Sequence, residues 1–501
     1  MNDPSETPAG IAPGHLEQPP DTSAAQAACA YSDQPPPQPI GSQRLILAGI
    51  LSLMTVVAFE AFAVASAMPV VARDLGAGPN YSLAFSVFLT ASLFGTVLGG
   101  GWGDAAGPRW PVVVGQLWLC GGLIVCGSAT NLPVFLTGRV ISGLGGGLMV
   151  VGLFLMISLT FGPAQRPKVF ALLSAAWVLP SLAGPVAAGW LAEHLSWRLV
   201  FLAIVPIGAV AMAMLWVPLC RLPQQVDRSG PSRAEHRRRL SAGAVLALGA
   251  GLAQVTAQRL SPQESTGAAA VTGVAWVLTA AGVVAVFWSL PALMPPGTLR
   301  LARGLPAVVV TRGAFTGAFF AGEAFLPLAL TSERGFSATQ AGMVLTVSAL
   351  LWAVGASIQG RVGASAGRIV IGAGGLCVAV MLMLAAAVFA FDAPSWLMPG
   401  VWALGGLGMG LSHSALSVAT LELAESDQHG RAASALQIMD GLGPVAAIGV
   451  TGAVYAWLHG AGNGSSVFAG MWAALALLAA AASGFAVRRI ALPQTQPEQP
   501  A

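Results

Sequence analysis

The chain has 501 residues, of which 55% are hydrophobic and only 9% are charged, and its formal net charge is +3. Soluble proteins carry about 25% charged residues, so a chain of this composition could not cover a water-facing surface, and a soluble protein is excluded. Apolar runs of about 20 residues, the length of a spanning helix, fill nearly all of the chain from Arg44 to Val487, which predicts an all-α polytopic membrane protein.

The first 43 residues differ from the rest of the chain. They carry nine prolines and five acidic residues, and the first basic residue is Arg44. A secretory signal would need a basic start followed by an apolar stretch, and neither is present. Because such a segment has too little apolar surface to order itself, residues 1–43 are predicted to form a disordered cytosolic tail.

Apolar runs separated by polar breaks predict fourteen transmembrane helices. They begin near residues 45, 81, 110, 132, 168, 197, 240, 268, 305, 338, 369, 396, 432 and 466. The predicted architecture is therefore two pseudo-symmetric six-helix bundles with two extra helices between them. The predicted units are the tail 1–43, the N-terminal bundle 44–220, a basic cytosolic loop 221–239, the extra helices 240–291, the C-terminal bundle 303–490 and a cytosolic tail 491–501.

The two bundles are related by an internal repeat, because one glycine pattern occurs twice, 260 residues apart. The matched glycines are Gly95, Gly100, Gly103, Gly107 and Gly115 in the first copy, and Gly355, Gly360, Gly363, Gly367 and Gly375 in the second. The sequence Glu-Ala-Phe that begins at Glu60 also recurs at Glu323. Two halves of several helices, repeated in the same order, are typical of secondary transporters.

The distribution of Lys and Arg predicts the orientation, because cytosolic loops are enriched in these residues. With the N-terminus in the cytosol, the cytosolic segments hold seventeen of them and the outer segments hold four. Six of the seventeen are arginines of the loop 221–239, which is expected to meet anionic lipid headgroups. Nucleic-acid binding is not expected, since the loop is short and has no interleaved aromatic residues.

The segment between the second and third predicted helices reads Gly100-Gly-Trp-Gly-Asp104-Ala-Ala-Gly107-Pro-Arg109. It resembles a signature of the major facilitator superfamily, in which the acid and the basic residues latch cytoplasmic helix ends when the transporter opens outward. A carboxylate beside a helix N-terminus gains stabilisation that a conformational change can break. The resemblance implies such a latch at Gly100, Asp104, Gly107 and Arg109, and only in the first half, because Ala364 replaces the acid in the second copy. The alternative is a tight turn with ordinary cytosolic arginines.

Arg139 lies inside an apolar run, in the sequence Gly138-Arg139-Val-Ile-Ser-Gly143 of the fourth predicted helix. In the family that this chain resembles over about residues 44–490, an arginine at this place helps proton transfer. Ser142 stands where the family often has glutamine. Because Arg139 lies near its helix end, the alternative is that its side chain snorkels to the outer interface.

The fifth predicted helix contains Pro180-Ser-Leu-Ala-Gly184-Pro185-Val-Ala-Ala-Gly189. It resembles the antiporter motif of proton-linked drug exporters, with Pro180 and Ala188 as departures. Small residues at every fourth position allow close helix contact, and Pro185 bends the helix and frees a carbonyl group. The pattern at Gly184, Pro185 and Gly189 favours export; the alternative is packing of small residues without a consequence for direction.

The first predicted helix carries Glu60 nine residues before Pro69. This spacing resembles the fourteen-helix drug:proton antiporter group of the same family. Phe62 and Ala65 stand where that group has polar residues, so the surroundings of Glu60 are expected to be more apolar than in typical members of the group.

Three acids lie well inside predicted spans: Glu60, Glu323 and Asp440. Intramembrane carboxylates are costly and default to a functional role, here proton coupling or recognition of a cationic substrate. The alternative for each is a helix–helix hydrogen bond. As repeat equivalents, Glu60 and Glu323 are expected to face each other across a central cavity.

Two other polar residues lie within the apolar runs of the second half. Arg312 is expected either to line the inner cavity or to snorkel to the inner interface. His413 could relay protons, but a packing role is favoured.

The sequence thus predicts a secondary transporter in the cytoplasmic membrane that exports small, largely hydrophobic compounds in exchange for protons. The rival interpretations are a proton-linked metabolite symporter and a transporter-like receptor or scaffold that moves no solute. An enzyme is not expected, because no soluble domain, nucleophile, phosphate loop or metal-ligand spacing is visible. The expected partners are a small-molecule substrate, protons and membrane lipids, with no cofactor and no metal, and a monomer is expected.

Overall fold

The computed structural model describes residues 40–162, 176–221, 233–260, 269–362, 367–424, 429–458 and 464–490, with a few single positions between 163 and 175. Fifteen α-helices, joined by turns and short helical segments, account for the regular structure in these ranges. Residues 1–39 of the predicted tail 1–43, the tail 491–501 and most of the basic loop 221–239 lie outside them, so the predicted unit boundaries stay predictions. Residues 40–43 are the start of the first helix.

The helices are numbered here in chain order. They are α1 (Ile40–Asp74), α2 (Leu83–Ala106), α3 (Arg109–Gly127), α4 (Leu132–Thr160), α5 (Val178–Leu191), α6 (Trp197–Leu202), α7 (Ile204–Arg221), α8 (Arg233–Gln258), α9 (Ala269–Leu293), α10 (Leu305–Glu333), α11 (Ala338–Val362), α12 (Gly367–Ala390), α13 (Met398–Leu423), α14 (His429–Leu458) and α15 (Gly464–Arg489). We call α1–α7 the N-terminal half and α10–α15 the C-terminal half.

Twelve stretches within the described ranges are long and apolar enough to cross a membrane, which confirms the polytopic all-α class. One of them, Leu179–Arg221, has 43 residues, about 64 Å of helix and twice the roughly 30 Å of the hydrocarbon core. It contains α5, α6 and α7. Helix α13, with 26 residues, is not among the twelve. The count of fourteen is therefore not confirmed and stays a prediction.

Helix packing repeats in the two halves, as the sequence repeat predicts. In the N-terminal half α4 packs against α2 and α3, and α1 packs against α5 and α7; in the C-terminal half α13 packs against α11 and α12, and α10 against α14 and α15. The repeated glycines explain the close crossings. A side-chain carbon at Gly95 would lie 2.3 Å from the carbonyl oxygen of Leu144, and one at Gly355 would lie 2.3 Å from that of Leu407.

Two pairs of helices make the most extensive contacts between the halves: α5 with α11, and α2 with α14; α1 also contacts α10 and α11. We call these pairs the two seams. We also call the end of the bundle where α1 begins the near end, and the end where α1 stops at Asp74 the far end. Helix α8 packs against both α2 and α14, and α9 packs against α8. The extra helices therefore lie beside one seam.

Candidate functional site

Glu60 of α1 is buried completely and forms an ion pair with Arg139 of α4, whose side chain is 3% exposed. The Arg139 Nη1 group donates to Glu60 Oε1, and Nε donates to the Ala84 carbonyl of α2 at 2.9 Å. The guanidinium carbon also lies 4.2 Å from the centroid of the Phe88 ring, within range of a cation–π interaction. Arg139 thus ties α4 to α1 and α2 in the interior of the N-terminal half.

Two expectations for these residues are wrong in this structure. Arg139 does not snorkel, because its guanidinium is buried between three helices. Glu60 does not face Glu323 across an open cavity, because its carboxylate is turned toward Arg139 and has no exposed surface. Each charge in this buried ion pair is compensated by the other. Removal of either partner would leave an uncompensated charge in the interior, which is strongly disfavoured.

In the C-terminal half, Arg312 of α10 and Asp440 of α14 form a two-bond ion pair. Arg312 Nε and Nη2 donate to the two carboxylate oxygens of Asp440 at 2.5 and 2.6 Å. Nη1 donates to the His413 carbonyl at 2.5 Å and to the Ser417 hydroxyl at 3.2 Å. The fork geometry of a guanidinium suits this arrangement. Arg312 therefore lines the interior and does not snorkel.

His413 of α13 belongs to the same cluster, although sequence reasoning favoured a packing role. Its Nε2 contacts Arg312 Nη2 and lies 3.5 Å from Asp440 Oδ2. The Trp352 ring centroid lies 5.3 Å from that of the imidazole. The His413 side chain is 30% exposed and that of Asp440 is 17% exposed, so the cluster is open on one side. His413 and Ser417 lie one helical turn apart. This spacing is the feature of the sequence that could have predicted that the two residues lie on the same face of α13.

Glu323 of α10 differs from the other two intramembrane acids. It is partly exposed, and no ion pair or hydrogen bond of its carboxyl group is found within the described ranges. Its repeat equivalent Glu60 is paired with Arg139, and Asp440 is paired with Arg312. The three acids therefore separate into two that are neutralised by arginines and one that is not.

The predicted antiporter motif lies in the seam between α5 and α11, at the far end. A side-chain carbon at Gly189 would lie 2.7 Å from the Ala338 backbone, and one at Gly342 would lie 2.5 Å from the Pro185 carbonyl oxygen. Gly184 instead packs toward Phe62 of α1, at 3.6 Å. Small residues at positions 189 and 342 thus allow the two halves to touch.

A carboxylate closes the same seam beyond the motif. Glu193, in the short π-helical segment Ala192–Ser196 after α5, accepts hydrogen bonds from the Thr339 amide at 3.0 Å and from its hydroxyl at 2.6 Å. Further along the seam, the Thr346 hydroxyl donates to the Leu182 carbonyl at 3.1 Å. Sequence reasoning did not identify Glu193. The structure is therefore closed between the halves at the far end.

The predicted gating motif lies at the near end, where α2 stops. Gly107 ends this helix with φ of 75°, and its amide donates to the Gly103 carbonyl at 2.8 Å, which explains a glycine at that position. The Arg109 guanidinium lies 5.3 and 5.9 Å from the ring centroids of Trp110 and Trp216. Gly100 has open space around it. The side chain of Asp104 and all of Ala364 lie outside the described part, so the latch stays a prediction.

In the described part of the chain, no group of three or more His, Cys, Asp or Glu side chains is placed to hold a metal ion. Among the described residues, the ionisable groups discussed above are two arginine–carboxylate pairs, His413 and Glu323. Such groups can bind or release protons and cations, and they lie in two halves that meet at seams.

The Major Facilitator Superfamily matches residues 50–323, and the chain belongs to this family. A probable actinorhodin transporter of Streptomyces coelicolor is 27% identical over 443 residues, or 83% of this chain and 73% of that protein. The multidrug transporter protein MdtP of Bacillus subtilis is 28% identical over 171 residues, or 34% of this chain and 32% of its own length. The multidrug efflux pump SdrM of Staphylococcus aureus is 25% identical over 166 residues, 33% of this chain and 37% of that protein. The matches to these two multidrug proteins span about a third of each.

Solved structures agree with the fold. A transporter of the POT family, crystallised with 5-aminolevulinic acid, superimposes with a TM-score of 0.62 at 11% identity, covering 89% of this chain and 95% of that one. The POT family transporter PepTSo gives 0.62 at 16% identity, with 88% and 97% covered. At such low identity the likeness concerns the fold alone.

Proposed function

We propose that this chain is a proton-coupled exporter of small, largely hydrophobic compounds, which works by alternating access. The near end would face the cytosol, with both termini, and the far end would face the outside of the cytoplasmic membrane. The excess of Lys and Arg in near-end loops supports this orientation. The position of the antiporter motif in the far-end seam supports export, as do the names of the relatives.

One observation carries the proposal: Glu323 is partly exposed inside the bundle and lacks a positive partner among the described residues. An unpaired carboxyl group in an apolar interior favours its protonated form. It can give up its proton when a cationic substrate or water reaches it. Glu323 would therefore be the site at which protons and substrate compete.

The two arginine–carboxylate pairs would have a different role. Glu60 and Asp440 are already neutralised by Arg139 and Arg312. A proton that binds either carboxylate would release its arginine, and this would alter the contacts among three helices in that half. We assign these pairs to coupling of protonation with the rocking of the halves, and His413 to proton exchange with Asp440.

The experiment compares Glu323→Gln with Glu333→Gln, which makes the same change on the same helix at its far end. Inverted membrane vesicles with an acidic lumen are given a lipophilic cationic dye. Glu323→Gln should abolish gradient-driven dye uptake, because an amide cannot titrate, whereas Glu333→Gln should retain it. Full uptake by the Glu323→Gln protein would remove Glu323 from the mechanism.

The same vesicles separate export from its rivals. For an exporter, addition of the dye should release protons from the lumen, so the lumenal pH rises. A proton-linked symporter would carry protons inward with its substrate, so the lumenal pH would fall. A scaffold or receptor would give no change.

The protein should run as a monomer in mild detergent, measured by light scattering.

A further inference from the structure

Helix α8, the first of the two extra helices, carries two buried glutamines beside the seam between α2 and α14. Gln254 is 5% exposed and Gln258 is 2% exposed. A buried amide that lacks hydrogen-bond partners is costly, so their partners define what α8 is attached to. Nothing in the proposed transport cycle above makes use of this helix.

The two glutamines differ in what they join. Gln254 Oε1 accepts a hydrogen bond from the Thr90 hydroxyl of α2 at 3.1 Å, and its Nε2 donates to the Val445 carbonyl of α14 at 2.7 Å. Gln258 Nε2 donates to the hydroxyl of Ser82, the residue that precedes α2, at 2.7 Å. Gln254 therefore bridges the N-terminal and C-terminal halves, whereas this bond of Gln258 stays on the N-terminal side.

Close packing attaches α8 to α2 along most of its length. A side-chain carbon at Gly101 would lie 2.6 Å from Leu240, near the start of α8, and one at Gly243 would lie 3.1 Å from the Val97 Cβ. Against α14 the close approaches are at Gly449, whose ideal Cβ position lies 2.9 Å from Gln254 Cγ, and at Gly452, whose ideal Cβ position lies 3.4 Å from Gln258 Nε2. The contact with α14 thus lies in the far half of α8, where the seam must open if the far end opens.

We infer that α8 travels with the N-terminal half and acts as a clamp on the seam, in which the Gln254–Val445 hydrogen bond breaks each time the far end opens. The inference rests on the proposed rocking of the halves. The bonds to Thr90 and Ser82 and the packing on Gly101 and Gly243 hold α8 on α2. Since the Val445 carbonyl belongs to the half that moves away, this bond is the one that must open.

Two cysteine pairs in a background without the native cysteines test the clamp. Val97→Cys with Gly243→Cys joins α8 to α2, and Gln254→Cys with Gly449→Cys joins α8 to α14. The ideal Cβ position at Gly243 lies 3.1 Å from Val97 Cβ and that at Gly449 lies 2.9 Å from Gln254 Cγ, so each pair is close enough to be joined after small adjustments. Oxidation should leave dye transport of the first pair unchanged and stop that of the second, and reduction should restore it. Transport that survives the α8–α14 disulfide, or stops with the α8–α2 disulfide, would overturn the inference.

A readout that does not require transport distinguishes the clamp from the proposed function. Gly189→Leu should hold the far end open, because its side chain would overlap the Ala338 backbone. In that background the yield of the α8–α14 disulfide should fall several-fold while that of the α8–α2 disulfide stays constant. Equal yields would refute the clamp. Failure of the unmodified protein to move protons with dye would instead refute the exporter.

Substitution without cross-linking provides the matched control. Gln254→Met and Gln258→Met remove one amide each from neighbouring turns of α8, but only the first removes a bond across the seam. A net hydrogen bond corresponds to about a fivefold change in an equilibrium. Gln254→Met should therefore increase the far-end-open fraction about fivefold, measured by labelling of a cysteine introduced at Ser66, and Gln258→Met should not. Equal effects of the two variants would contradict the clamp.

Discussion

At the scale of single residues, buried arginines of this chain are paired with carboxylates. Among the described residues each half has one buried arginine, and each arginine is held by a carboxylate. The partners are not repeat equivalents: Arg139 of α4 binds Glu60 of α1, whereas Arg312 of α10 binds Asp440 of α14. The fold therefore repeats while the polar chemistry of the two halves has diverged, and no described residue is a counter-ion for Glu323.

The Glu60–Arg139 pair gives a stability prediction. Arg139→Met should destabilise the protein by about 3–5 kcal/mol, because it leaves a carboxylate buried without its partner. The double variant Glu60→Gln with Arg139→Met should recover most of that loss, since neither charge remains. The measurement is the midpoint of thermal unfolding in detergent. A single variant as stable as the double one would show that the pair is not a buried ion pair.

The Arg312 cluster gives a second prediction at this scale. Ser417→Ala removes the 3.2 Å bond from Arg312 and the 3.0 Å bond that the Ser417 hydroxyl donates to the His413 carbonyl. Because Arg312 keeps its bonds to Asp440 and to the same carbonyl, both stability and transport should change little. His413→Asn, which keeps the backbone carbonyl but cannot exchange a proton at an imidazole, should slow proton-coupled dye uptake by about tenfold, within the low range for loss of a proton-transfer group. Unchanged uptake by His413→Asn would leave the histidine with a packing role.

At the scale of helices, glycine decides which surfaces meet. The crossing of α2 with α4 and that of α11 with α13 depend on positions where a side chain would overlap a carbonyl group. The same principle applies between the halves, where Gly189 and Gly342 allow α5 and α11 to touch. Between α5 and α11 the hydrogen bonds of Thr339 and Thr346 add to the contacts of these two glycines.

Gly189 therefore tests the seam itself. Gly189→Leu should open the far end, because the added atoms overlap the Ala338 backbone in the closed arrangement. A cysteine at Ser66, which is buried beside Gly342, should then react with an impermeant thiol reagent from outside. Gly121→Leu, at a position with no neighbouring atoms within 4 Å, is the control and should leave Ser66→Cys unreactive. Reaction in both variants would mean that the seam is not the barrier.

At the scale of the whole molecule, the distribution of Lys and Arg predicts the orientation. The predicted cytosolic segments hold seventeen of these residues and the outer segments four. A cysteine introduced at Ser229, outside the described residues, should resist an impermeant thiol reagent added to intact cells and react after permeabilisation. The control is a cysteine at Arg334, at the far end, which should react in intact cells. Ready labelling at position 229 would reverse the orientation.

The sequence by itself determined the class of the protein, the internal repeat, the family and the residues worth testing. It could do so because each of these depends on composition, on periodicity along the chain or on motifs such as the one from Gly100 to Arg109. All of these are properties of the linear sequence and do not depend on which residues meet in the fold. Gly95 and Gly355 lie at equivalent helix crossings in the two halves, as expected from the repeat, because similar sequences in the two halves pack in a similar way.

Only the tertiary structure decided which charges meet. Glu60 and Arg139 are separated by 79 residues, Arg312 and Asp440 by 128, and nothing in their local sequence specifies a partner. The rotation of each helix about its axis, fixed by packing, turns Glu60 into its own half and leaves Glu323 unpaired. The bridge that Gln254 makes between α2 and α14 was also invisible in the sequence, because glutamine in an apolar run gives no sign of its partners until three helices are packed together.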